Sequence, residues 1–172
     1  MTRTPILPRA ASAFLLSASA LAMAMPASAA SVLFTSNPQL ARETQSGERV
    51  TQQGGLTQVR LGNGGTASFV DGASFRVRPD GGIDLYAGSV TVAGGEGAPV
   101  VVNLAEQGEG RVEGRGSSAS FTVEQGEDGR PRARGHALTG FVMVRIGAGP
   151  FARVAAGEMW RSRGVAARRG RA

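Results

Sequence analysis

Residues 56–92, LTQVRLGNGGTASFVDGASFRVRPDGGIDLYAGSVTV, alternate apolar and polar side chains in short runs that return about every eight residues. Val59 and Leu61, Ala67 and Phe69, Phe75 and Val77, Ile83 and Leu85, and Val90 and Val92 each put two side chains on one face of an extended segment. Between the pairs stand Asn63-Gly64-Gly65, Asp71-Gly72, Asp80-Gly81-Gly82 and Ala87-Gly88, which tolerate positive φ or a tight reversal. The pattern predicts an all-β fold of short repeated strands joined by tight Gly and Asp-Gly turns. Two architectures satisfy it: a β-solenoid whose coils stack through parallel pairing, and an antiparallel sandwich. In both, one apolar pair is too small to hold a strand, and only stacked units produce a core.

Further along, PVVVNL (residues 99–104) reads as a strand buried on both faces, and SASFTVE (118–124) and FVMVRI (141–146) read as strands. Residues 107–116 keep Val112 as their one large apolar side chain and read as an exposed edge or a loop. Residues 130–138 alternate arginine with small residues. They predict a polar strand at a sheet edge, where charge discourages pairing with another chain. Residues 30–54 read as a polar lead-in, with one helical turn at residues 40–44, and residues 55–160 as the β-domain. Residues 161–172, mostly Arg, Gly and Ala, read as a disordered tail.

The first 29 residues do not belong to that pattern. Arg3 and Arg9 precede an apolar run over residues 10–25, and Ala27-Ser28-Ala29 fits a small-x-small cleavage site, so the segment reads as a secretory signal peptide cut after Ala29. The expected location is periplasmic or secreted, with no transmembrane span in the mature chain. The chain has no cysteine, which leaves no disulfide framework, thiolate nucleophile or Cys-based metal site.

The sequence pI of about 11.4 suggests nucleic acid, but the location of the charges argues otherwise. All 19 basic residues are arginines; two lie in the signal segment and five in the tail, leaving 19 − 2 − 5 = 12 against 13 acids. The body is close to neutral, and an exported protein of this kind is not expected to bind nucleic acid.

Candidate chemistry is sparse, and neither catalytic residues nor a cofactor or metal is expected. His136 is the single histidine, without a nearby nucleophile or ligand set, and reads as a strand residue. Asp71, Asp80 and Asp84 could converge on a shared site if turns stack, but Asp-Gly is foremost a turn signal. Gly94-Gly95-Glu96-Gly97 reads as a loop rather than a phosphate cradle, since no Lys-Ser/Thr follows. Tyr86 and Trp160 are the aromatic side chains to consider for stacking on carbohydrate, with Trp160 better placed to cap the core. Two surfaces remain: an interaction edge at Arg130, Arg132 and Arg134, and a tail of Arg161, Arg163, Arg168, Arg169 and Arg171 that would attract anionic lipid or polysaccharide.

The order GGTASFVDGASFRVRPDGGIDLYAGSVTV, GSSASFTVE, ALTGFVMVRI and ARVAAGEMW resembles the FecR domain, the periplasmic module of iron-dicitrate-type sensor proteins. The matching positions are Asp71-Gly72, Ile83 and Leu85 with Gly88-Ser89-Val90, residues 116–123, and Ala156-Gly157-Glu158, within residues 46–160. The resemblance implies an all-β, solenoid-like domain outside the inner membrane that acts without enzymatic activity as a protein-interaction or signalling module, with an envelope protein as partner. Regulators of this family place a cytoplasmic helical domain and a membrane span ahead of the module. Here nine residues precede the apolar run, so a free-standing exported FecR-like domain is expected.

Overall fold

The computed structural model describes residues 30–163 and 166–171. Its elements in chain order are β1 (Ala30–Thr35), α1 (Pro38–Ser46), β2 (Val50–Thr51), β3 (Leu56–Leu61), β4 (Thr66–Val70), β5 (Ser74–Val77) and β6 (Ile83–Ala93). The second half holds β7 (Val100–Leu104), β8 (Gly108–Val112), β9 (Ser118–Gln125), β10 (Pro131–Thr139), β11 (Phe141–Ile146), β12 (Ala152–Ala155), β13 (Glu158–Arg163) and β14 (Ala166–Arg171). The all-β expectation holds. Among the described residues the strands form one continuous mixed sheet, and β6 belongs to both of its limbs.

The N-terminal part of β6 pairs with β5 and, in parallel, with β7; its C-terminal part pairs with β4 and β9. One limb therefore runs β1-β3-β4-β6-β9-β10-β13-β14 and the other β2-β5-β6-β7-β8-β11-β12. The limbs lie face to face. Phe69 of β4 stacks on Phe75 of β5 with ring centroids 3.5 Å apart and planes 5° apart, and Phe121 of β9 covers Gly110 of β8. All of these pairings are antiparallel except β6 with β7, so the layers follow the antiparallel alternative and not a stack of parallel coils.

The fold at β6 is the point on which this arrangement turns. Ile83 and Leu85 point inward in one limb, Val90 and Val92 in the other, so the inward set changes from one parity to the next across Tyr86–Ser89. A strand that rounds a corner while facing one core must make this change. Gly88 accommodates it at φ +77°, packed against the backbone of Gly72 and Ala73, where the β4–β5 connection turns the same corner. Ala87-Gly88 is thus a bend within an 11-residue strand and not the chain reversal expected from the sequence.

The core comprises the expected apolar pairs and extends beyond them to Val100, Val102, Leu104, Phe121 and Trp160. β8 differs from expectation: residues 108–112 pair with β7 on one side and β11 on the other, making an internal strand. Glycines are what hid it, since Gly110 leaves room for the Phe121 ring where an apolar side chain would otherwise have marked the strand.

Residues 30–54 are built into the fold rather than leading to it. β1 pairs with β3, and α1 is nine residues long, not one turn. Asn37 caps it by accepting the Gln39 N–H at 3.0 Å, Pro38 opens its first turn and Gly47 ends it at φ +75°. The expected disorder beyond Arg161 also differs from the structure, in which the backbone of β13 runs through Arg163 and pairs with β14. The signal segment and its cleavage site lie outside the described residues. Among the described residues no helix is long and apolar enough to cross a membrane.

The β7–β8 hairpin turns through Ala105 and Glu106 at φ +39° and +63°, closed by a 2.8 Å bond from the Gln107 N–H to the Leu104 carbonyl. Both central residues occupy a region that Asn and Gly enter more cheaply. The double substitution Ala105→Asn, Glu106→Gly should therefore raise the unfolding free energy by about 1–2 kcal/mol. Thermal unfolding checks it, and a midpoint at or below wild type would refute the turn geometry.

Candidate functional site

The two outward faces of the folded sheet are chemically different. On the limb that contains β8, register brings Arg76, Asp84, Asn103, Glu109 and Arg145 into one row across β5, β6, β7, β8 and β11. Asp84 accepts from Arg76 Nε at 2.9 Å and from Asn103 Nδ2 at 2.8 Å; Glu109 accepts from Arg145 Nη2 at 2.6 Å and also from Arg111. Both carboxylates are nearly buried beneath these partners. The hydrogen bonds to Asp84, then its charge, push the Arg76 guanidinium pKa above its ordinary value. Arg111 and Arg145 also lie over the Phe151 ring, 4.3 and 4.9 Å from its centroid. Every carboxylate in this row is committed to a structural partner.

The opposite face carries the expected arginines. Along β10, Ala133, Gly135 and Ala137 point into the core, while Arg132, Arg134 and His136 alternate outward. Arg134 stands between Thr122 of β9 and Arg161 of β13, and His136 between Ser120 and Met159. Arg130 sits in the preceding turn. With Glu124 and Asp128 they line part of a concavity of about 930 Å³, which Gln107 of the β7–β8 turn and the buried Trp160 and Ser162 also border.

β10 is not the edge strand that the arginine alternation suggested. It pairs with β9 from Pro131 to Thr139 and with β13 over Arg134–His136, and the Ala133 N–H donates to the Ser162 hydroxyl at 2.8 Å. Alternating arginine marks a strand with one solvated face, which edge and interior strands share. The missing signal was β13, where Trp160 is buried against the bare Cα of Gly135 and lies 6.3 Å from Phe121, ring centroid to centroid.

The candidate tail arginines divide by strand. Arg161 and Arg163 lie on β13 and Arg168, Arg169 and Arg171 on β14. By register Arg168 stands opposite Arg161, whereas Arg169 and Arg171 stand opposite Trp160 and Glu158.

The other sequence candidates form no shared ligand site, although Arg78 lies between two of the aspartates, 3.1 Å from Asp80 and 3.5 Å from Asp84. Asp71 accepts the Gly54 N–H at 2.6 Å, Asp80 accepts the Gly82 N–H at 2.9 Å, and Asp84 belongs to the ionic row. These are turn and strand contacts. Among the described residues no cluster of three or more His, Asp or Glu could hold a metal. Tyr86 is half-buried beneath Arg49, 4.1 Å above its ring, and Trp160 is in the core, so neither presents an open stacking face. Gly94–Gly97 forms the loop expected, pressed on the backbones of Asn63, Gly64 and Gly114.

The fold recurs in known structures. Two crystal structures described as a "putative anti-sigma factor" from Parabacteroides distasonis superpose on this chain with TM-scores of 0.58 and 0.57 at 17% identity. Each match covers 72% of this chain and 59% of the other. The architecture is shared with those proteins. No family model and no curated protein matches the sequence.

The geometry exposes a further surface that sequence reasoning missed. β1 pairs on one side with β3, and among the described residues it has no strand on the other. It contains no charged residue, and Leu33 and Phe34 are 47% and 54% exposed. β1 thus lacks the charged residues that commonly protect a sheet edge, although a bulge between Val32 and Phe34 interrupts its pairing and α1 packs against it. Its signal was present in Val32-Leu33-Phe34, which looked like an isolated apolar triplet in a polar segment.

Proposed function

We propose that this chain is a non-enzymatic, FecR-like binding module of the cell envelope that takes part in signalling by accepting an extended segment of a partner protein along β1. The open, uncharged edge of β1 with its exposed Leu33 and Phe34 carries this reading. Main-chain groups of such an edge can pair with an added strand, and flanking apolar side chains supply contact area. The fold shared with proteins described as anti-sigma factors and the FecR-like residue order support a signalling context. An exported location is part of the proposal and follows from the signal-like segment at residues 1–29.

The test is site-specific photo-crosslinking in the source cells, with the probe at Leu33 in the full chain and, as control, at Val101 on the opposite limb. A discrete adduct with one other protein at Leu33, weakened by Phe34→Lys and absent at Val101, is the expected result. Adducts equal at both positions, adducts only with a second copy of the chain, or none would overturn the proposal.

A further inference from the structure

We infer that the arginine-bearing outer face of β9, β10 and β13 binds an acidic polysaccharide, with Arg134 and Arg161 as its principal contacts. The inference concerns a different face from β1 and stands apart from the partner proposed there.

Arg134 and Arg161 are directly opposed on adjacent strands and share a face. Strands are about 4.8 Å apart, and like charges so opposed destabilise a sheet. Elsewhere the same fold arranges its arginines differently. On the other limb Arg76 reaches Asp84 through two nitrogens, and Arg145 reaches Glu109 at 2.6 Å. On this face Arg134 comes no closer than 3.5 Å to Glu124, and Arg132 no closer than 3.5 Å to Asp128, with arginine side chains 62% and 50% exposed. These guanidiniums are gathered without being tightly satisfied, in a setting suited to forked hydrogen bonds to an incoming carboxylate.

The remaining chemistry narrows the ligand. Ser120 and Thr122 present hydroxyls beside His136 and Arg134, and Glu124 and Asp128 present acceptors. The hydrogen bond from the Arg130 N–H, with the Arg132 charge adding to it, lowers the Asp128 pKa below its ordinary value. Carboxylates set among the arginines can accept from the hydroxyls of a sugar chain while the guanidiniums take its carboxylates. A concavity of about 930 Å³ also suits a few residues of a chain better than a flat membrane. An extended peptide would seek unpaired backbone, and at Arg134–His136 β10 is paired on both sides. A ligand carrying negative charge and hydroxyls in alternation matches the polar groups on the face, which Met159 interrupts with one exposed apolar side chain.

Titration calorimetry of the full chain with oligogalacturonate at two salt concentrations tests the site, with neutral dextran and phosphatidylglycerol vesicles as comparators. Oligogalacturonate should bind and dextran should not. The Arg134→Ala, Arg161→Ala double variant should lose affinity by about tenfold or more, the effect of removing two charge-assisted contacts. Arg115→Ala, whose side chain is 80% exposed elsewhere on the surface, should bind as wild type. A melting curve accompanies each variant, and Arg134→Gln alone carries the test should the double variant unfold. No binding by wild type, an unchanged double variant, an equal loss in Arg115→Ala, or binding to vesicles alone would overturn the inference.

Discussion

Gly88→Val is expected to abolish cooperative folding, and Gly88→Ala to lower the thermal midpoint by about 10 °C or more. Two effects add at this position. Its φ of +77° lies in the left-handed region, where an L-side chain costs about 1–2 kcal/mol and a β-branched one more. A Cβ there would stand 2.6 Å from the Ala73 Cα and 2.7 Å from the Gly72 carbonyl oxygen. Those atoms are backbone at the second turn of the same corner and cannot swing aside as a flexible side chain would. Overpacking of this kind costs about 1–3 kcal/mol for the smallest addition. Against a total stability of about 5–15 kcal/mol, the alanine variant is weakened and the valine variant is left without a native state. Melting followed by circular dichroism distinguishes the outcomes, and an alanine variant within about 2 °C of wild type, far inside the shift that such strain should produce, would show that the corner does not depend on Gly88.

The second large effect concerns the packing of one limb on the other. Phe121 is fully buried, covers Gly110 across the core and meets Trp160 on its own limb. Phe121→Ala should cost about 3–5 kcal/mol, the usual range for emptying a site of this size. Gly110→Ala should also destabilise, because the added methyl would enter the Phe121 ring. In the double variant that methyl occupies space the ring has left, so the two losses should fall short of their sum by about 1 kcal/mol. Chemical denaturation of all four proteins measures the cycle. Additive losses would mean that residues 110 and 121 do not touch, and the face-to-face arrangement of the limbs would fail with them.

These two predictions fall where local pattern and tertiary structure part company. Val59, Phe69, Phe75, Ile83, Leu85, Val90 and Val92 were legible as core from alternation alone, because a strand with one buried face repeats every two residues whatever it pairs with. The turns at Asn63–Gly65 and Asp80–Gly82 were legible for the same local reason. Ala87-Gly88 carried the same residue signal and meant something else, since a glycine at positive φ serves a hairpin and a sheet corner equally well.

The candidate sites divide in the same way. That Arg132, Arg134 and His136 share a solvated face follows from spacing. That this face belongs to an interior strand depends on Trp160 finding Gly135, a contact between residues 25 positions apart (160 − 135). Arg161 looked like the start of a tail because the residues that follow it are mostly Arg, Gly and Ala, yet β13 places it opposite Arg134. The apolar triplet of β1 could be read as a strand, but only the order of strands shows that it ends a limb.

The amino-acid order by itself determined the strand class, most of the core and the outward alternation of the arginines, all properties set within a few residues by φ, side-chain size and period. Tertiary structure alone decided which strands lie inside, where β6 bends and which charges become neighbours. Those outcomes depend on pairings between distant segments, whose free energy comes from joint burial and therefore has no local signature.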